Sequence, residues 1–231
     1  MKIKIIVPIN AASYNEAILA AAQEAASAAT LLDIENLKGG RSSIECEADS
    51  QINAPYVAER IETANDSGYD GVFISDMDMC GIKLAHELYS INIPVHGGFS
   101  SNIPVAASRG DFIIMTILEE VIPMQKKFAE TYGGEQCQGI YPINLGVHDL
   151  ASEKSTFAQL LDKTLQALAE HKMQQIRSIV FGCSGFVNFA APLTKAIQEH
   201  GYKEITAIDP NRTAIQTLER EIKLNSHALR W

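Results

Sequence analysis

DGVFIS at residues 70–75 runs straight into Asp76, and RSIVFG at residues 177–182 runs straight into Cys183. Each is an apolar, β-branched run closed by a small residue and then by a side chain able to carry a proton. Such runs, set between longer segments with helical spacing, are the pattern of βα units around a mainly parallel sheet. Two copies of one strand-end motif predict two similar lobes. Ligands of open α/β sheets bind beyond the carboxyl ends of the strands. Lobes that face each other would therefore set Asp76 and Cys183 on either side of one small molecule.

The same rhythm extends in both directions from these two strands. Strands are expected at KIKIIVPI (2–9), TLLDIENL (30–37), NIPVHG (92–97), DFIIMTI (111–117), GIYPINLG (139–146) and EITAID (204–209). Between them, helical patterns cover residues 14–30, 54–67, 83–90, 101–108, 124–132, 156–172, 189–200 and 212–224. The alanine-rich segment 14–30 favours helix through its low side-chain entropy cost. The tail NSHALRW (225–231) reads as loose or docked. The fold class expected is α/β, with two similar three-layer lobes, mainly parallel sheets and the active site in the cleft between them. Residues 1–100 with 211–231 would form the first lobe and residues 101–210 the second.

Composition narrows the function. The chain has 231 residues, 46% hydrophobic and 20% charged, with a mean hydropathy of -0.01. That is enough chain for one large domain or two lobes with their own cores. No apolar run reaches the roughly 18 residues of a membrane span, and MKIKIIVPIN lacks the apolar segment and cleavage site of a secretory signal, so a cytoplasmic protein is expected. A formal charge of -9 leaves little basic surface for nucleic acid. Cys46, Cys80, Cys137 and Cys183 form no CxxC pair, and reduced thiols are the default. No His, Cys and carboxylate cluster has metal-ligand spacing. The pairs at 39–40, 97–98 and 133–134 build neither GxGxxG nor a P-loop, so neither metal nor nucleotide cofactor is expected.

Among the candidate site residues Cys183 stands first, in FGCSGF between Gly182 and Gly185. Glycines on both sides would let the backbone turn and a ligand approach. A thiol at the start of a helix would be partly exposed, with its thiolate favoured by backbone amides and the helix dipole. A small buried hydrophobe at a strand end is the other reading. Asp76, in ISDMDMCG, reads either as a proton-transfer group or as a helix N-cap. Cys80 lies one turn further on, a reserve for chemistry that packing explains as well. Asn10, Ser13 and Ser75 end or follow strands and could donate hydrogen bonds, as turn or cap residues also do. Thr116 ends DFIIMT in the same manner. His96 and His148 are further titratable groups with ordinary structural readings.

Taken together, PIN (8–10), SIE (43–45), DGVFIS followed by GIKLAHEL, DFIIMTILEEVIPMQKKFAETYG (111–133), FGCSGF and the late Ile208-Asp209 pair carry a resemblance. Over nearly its whole length the chain resembles the aspartate/glutamate/hydantoin racemase superfamily, nearest the hydantoin and allantoin racemase branch. The long segment and FGCSGF are its most specific marks. The resemblance implies a cofactor-independent racemase or epimerase, a homo-oligomer, acting on a small carboxylate or ureide such as an amino acid, hydantoin or allantoin. In that family two cysteines flank the substrate as acid and base at a carbon next to a carboxyl or carbonyl. Cys183 matches the second. Counting back without gaps from Ala85, His86 and Glu87, the first falls on Asp76, a departure that makes the two sides unequal in strength. The resemblance also implies that Asn10, Ser75, Thr116 and Ser184 help hold substrate oxygens. Two alternatives stand beside this reading: a decarboxylase of malonate-type acids using Cys183 alone, and a small-molecule binding protein without turnover.

Overall fold

The computed structural model describes residues 1–151, 153–171 and 176–228. Its first sheet is built from β1 (Lys2–Val7), β2 (Leu31–Asn36), β3 (Gly71–Ile74) and β4 (Val95–His96), in the order β2-β1-β3-β4. The second is built from β5 (Asp111–Thr116), β6 (Cys137–Pro142), β7 (Ile176–Phe181) and β8 (Thr206–Ile208), in the order β6-β5-β7-β8. The two orders are the same topology repeated, and every strand pair is parallel. Central strands of such sheets are covered on both faces and read as unbroken apolar runs. Accordingly GVFI of β3 is wholly buried, as is the SIVF end of β7.

Helices α1 (Asn15–Ala25), α2 (Glu47–Asp66) and α3 (Ile82–Leu88) pack with the first sheet, and α5 (Ile122–Gly133), α6 (Glu153–Glu170) and α7 (Ala190–Glu199) with the second. Two helices cross over. α4 (Gly98–Ala107) leaves the first sheet and packs on β5 and β7, whereas α8 (Pro210–Ala228) leaves the second and packs on β3 and α1. One apolar core lies around Ile5, Phe73 and Leu218. The second sheet has two, around Phe181 and Phe186 on one face and Phe99 and Phe112 on the other. The architecture is two α/β lobes of three layers, with parallel sheets.

Several boundaries differ from the pattern read in the sequence. The first helix stops at Ala25, where Ala26 turns extended. α2 begins at Glu47 rather than 54, and Pro55 is accommodated inside it. Two polar residues of its first turns, Ser50 and Asn53, are buried, and Asn53 braces the loops beside it. Asn53 Nδ2 donates to Pro8 O at 2.8 Å, and Asn53 Oδ1 accepts from Arg41 N at 2.7 Å. α8 runs on to Ala228, so NSHA at 225–228 is helical and not a loose tail, while residues 229–231 lie outside the described residues. The sixth helix ends at Glu170, and position 172 lies outside as well. Among the described residues no helix is long and apolar enough to cross a membrane.

Candidate active site

Asp76 stands two residues past the end of β3, and Cys183 two residues past the end of β7. These are equivalent places in the repeated topology, and they meet. Both side chains line one narrow cleft between the lobes, with about 50 Å³ of free space in it. Its apolar wall comes from Val7, Ile9, Ile18, Ile44, Ile117 and Val147, and its floor from Ser75 and the Gly182–Gly185 turn.

The chain after β3 does not enter its helix at once. Asp76 Oδ1 accepts the Asp78 amide at 2.9 Å and Oδ2 the Cys80 amide at 3.0 Å, which winds residues 77–81 into a turn. Gly81, with φ of 74°, then supplies the N-cap position of α3. Asp76 therefore caps a turn and not a helix, and it still faces the cleft. Gly98 closes over this turn, its N–H donating to Asp76 O at 2.7 Å. A Cβ there would lie 2.2 Å from Met77 Sδ.

Cys183 differs from its sequence reading in two respects. α7 begins only at Ala190, so the thiol does not sit at a helix N-terminus. Nor is its thiolate favoured: burial first, and then the acidic groups around it, Asp76 foremost, push the thiol up to about 12. The Gly185 N–H donates to Sγ at 3.4 Å, which opposes this in part. The flanking glycines have ordinary negative φ, since neither is among the positive-φ residues. Gly182 is needed for space instead, since a Cβ would meet Gln125 Oε1 at 2.5 Å and Thr116 Oγ1 at 2.6 Å.

Burial also raises the Asp76 carboxyl, against the pull of the amides it accepts. Asp78, buried on the same wall, is pushed well above the usual carboxylate range, first by burial and then by the charge of Asp76. The site is thus a pair of acidic groups on one lobe facing a protonated thiol on the other. No Lys, Arg or His is among the residues that line it, and among the described residues no group of His, Cys, Asp and Glu is arranged to hold a metal ion.

The other candidates divide. Ser75 and Ser184 reach the cleft, yet their hydroxyls are engaged in joining the lobes. Ser184 Oγ donates to Ser75 O at 2.8 Å, and Ser75 Oγ to Asn211 Oδ1 at 3.0 Å. Thr116 is fully buried behind Gly182, and Asn10 is exposed with its amide on Arg41 O; neither lines the cleft. Ser13 is exposed. Cys80 turns away, Sγ toward Ser50 O at 3.3 Å, and burial raises its thiol strongly. His96 bridges Ser101 and Glu221 of α8 at 3.2 and 2.5 Å, and His148 lies beside Ser42 at the rim.

Three residues at the cleft or directly behind it escaped the sequence reading. Asp78 lies in the same ISDMDMCG as Asp76, so the alternating acids were a signal. Tyr14 opens α1 and packs on both cores, its hydroxyl donating to Val147 O, with its phenol pushed up to about 12 by burial. Asn211 ties α8 to the floor, Nδ2 donating to Ser184 O at 3.0 Å. Nothing in their local sequence marks the last two.

Comparisons with known proteins bear on the same cleft. The family profile described as Asp/Glu/Hydantoin racemase matches residues 3–218. A hydantoin racemase of Paenarthrobacter aurescens is 26% identical over 229 residues, covering 97% of this chain and 92% of the relative. The allantoin racemase from Klebsiella pneumoniae superposes with a TM-score of 0.86 at 27% identity, over 97% of this chain and 89% of that one. A glutamate racemase from Francisella tularensis shares the fold alone, with a TM-score of 0.67 at 10% identity over 97% and 81%. With a profile match across almost the full length and two strand-end groups converging on one cleft, the chain belongs to the Asp/Glu/hydantoin racemase family and is an isomerase of the racemase type.

Proposed function

We propose that the chain inverts a stereocentre next to a carbonyl, with Asp76 and Cys183 as the acid and base on opposite faces of the substrate. The observation that supports this is their convergence on one cleft from equivalent positions of the two lobes. Two-base inversion needs one group deprotonated and one protonated. Asp76, held by two backbone amides, supplies the carboxylate that removes the proton. Cys183, kept protonated by burial, delivers a proton to the other face. The electron pair of the broken C–H bond rests meanwhile on the carbonyl oxygen as an enolate.

The lining also favours a substrate class. A cleft with acidic groups, an apolar wall and no cationic side chain disfavours a dicarboxylate such as aspartate or glutamate, whose charge would find no partner. An uncharged cyclic ureide of the hydantoin type, with an apolar substituent against Val7, Ile9 and Ile44, fits it better. Incubation of single-enantiomer hydantoins, allantoin and amino acids in heavy water tests the reading. Deuterium should enter the stereocentre as optical rotation decays, fastest for apolar hydantoins. Release of carbon dioxide from a malonate without exchange in that panel would replace racemisation by decarboxylation.

A further inference from the structure

Among the described residues, no side-chain hydroxyl at the cleft is free to meet the enolate oxygen. Negative charge gathers there in the transition state, and a preorganised donor at that point is worth a large part of the rate. Yet the hydroxyls that reach the cleft are spent: Ser75 on Asn211, Ser184 on Ser75 O, and Tyr14 on Val147 O. Asp78 is different. It is 6% exposed, lines the cleft beside Asp76, and its Oδ1 has no hydrogen-bond partner. The Gln125 carboxamide beside it donates through Nε2 to Gly182 O at 2.7 Å and opposes part of the rise of the Asp78 carboxyl, while Gln125 Oε1 is buried without a partner. Buried acceptors left unpaired are costly, and a proton on Asp78 turns one of them into a donor.

We propose that Asp78 is a third catalytic group, a carboxylic acid that donates its O–H to the substrate's carbonyl oxygen as the enolate forms. The assignment rests on the racemase reading of the cleft. In the step itself Asp76 takes the proton from carbon, the C–H electron pair forms the C=C bond, and the carbonyl π pair moves to oxygen against the Asp78 hydroxyl. Cys183 then protonates the opposite face as the π electrons return, leaving a thiolate, and the proton held by Asp76 is passed back to sulfur before the next turnover. Burial and the charge of Asp76 hold Asp78 in the required state. The other charged groups on its side are Glu47 of α2, Lys83 and Glu87 of α3 and Lys127 of α5, around the groove behind it. Lys127 is paired with Glu47 and Lys83 with Glu87 in solvent, so they screen one another.

The test compares wild type, Asp78→Asn and Asp78→Ala for deuterium exchange into a hydantoin. Asp78→Ala should slow kcat about 10²–10³-fold, the usual cost of losing one such donor, with KM nearly unchanged. Asp78→Asn keeps an uncharged N–H donor in place and should stay within about tenfold of wild type. Equal rates in wild type and Asp78→Ala, or equal losses in both variants, overturn the assignment while leaving the racemase reading intact. Absence of exchange in the wild type overturns that reading and the role of Asp78 with it. Independently of turnover, NMR of isotope-labelled aspartate, assigned by the signal lost in Asp78→Asn, should show a neutral carboxyl at neutral pH. An ionised signal there also overturns the assignment.

Discussion

At the scale of single residues the site is built from groups whose ordinary proton affinities have been displaced. On the proposed two-base reading, Cys183, whose thiol burial pushes up, serves as the donor, which leaves Asp76 as the group that must be ionised. Cys183→Ala and Asp76→Asn should each reduce kcat/KM for exchange by at least about 10²-fold, the usual contribution of a positioned acid or base. Because burial raises Asp76, the acid limb of kcat/KM should lie above the ordinary carboxylate value of about 3.9. A plateau extending below that value would remove Asp76 as the base. The same displacement carries a cost in stability. A carboxyl with a raised folded pKa binds its proton more tightly folded than unfolded, so its contribution is fully favourable below the unfolded value and is lost as pH rises through the folded one. Asp78→Asn removes that penalty and places an amide donor beside the unpaired Gln125 Oε1. Denaturant melts should show it more stable than wild type at pH 8, with the gain shrinking toward pH 4.

At the scale of elements, the strands were legible because parallel central strands are apolar on both faces, and GVFI and SIVF cannot be mistaken for loops. The strand-end positions of Asp76 and Cys183 came from the same signal. The path of the chain beyond each strand was not legible. Whether it turns directly into a helix or first winds a loop depends on amides such as those of Asp78 and Cys80, and on distant packing such as Gly182 against Gln125. Similarly, the start of α2 looks polar because Asn53 is buried for its hydrogen bonds to Pro8 and Arg41. α8 shows how far such bonds reach. Its Glu219, 5% exposed, accepts from Ser27 N and Oγ at 2.8 and 2.6 Å and from Thr30 Oγ1 at 2.5 Å, pinning the helix to the loop after α1. Burial pushes this carboxyl up, but those hydrogen bonds and Lys223 outweigh it and the net shift is downward. A depressed carboxylate stabilises above its unfolded pKa and loses that contribution as pH falls through the folded value. Glu219→Gln should therefore cost about 1–3 kcal/mol at pH 7, and the gap to wild type should close below about pH 4. A gap independent of pH would show that the helix is held by packing alone.

At the scale of the whole molecule, the cleft is joined at its floor and at its rim by different bonds, and these govern different things. The floor is the Ser75, Ser184 and Asn211 network, which locks the ends of β3 and β7 and so sets the spacing of Asp76 and Cys183. The rim is the contact between the loop before α2 and the turn after β6, where Glu45 Oε1 accepts the Val147 amide at 2.9 Å and Ser42 approaches His148 at 3.4 Å. On the proposed function, substrate passes the rim and the reacting groups keep the spacing that the floor sets. Glu45→Ala should chiefly loosen the mouth, raising KM and speeding ligand release with kcat little changed, since its charge is the smallest of those that raise the Cys183 thiol. Asn211→Ala leaves buried donors and acceptors unpaired and frees the strand ends, so it should lower kcat at least about tenfold and cost about 1–3 kcal/mol of stability. Steady-state exchange kinetics with thermal melts on both variants separate the two. If Glu45→Ala lowers kcat as much as Asn211→Ala does, the rim also positions the reacting groups, and the lobes act as one clamp instead of a fixed floor beneath a moving mouth.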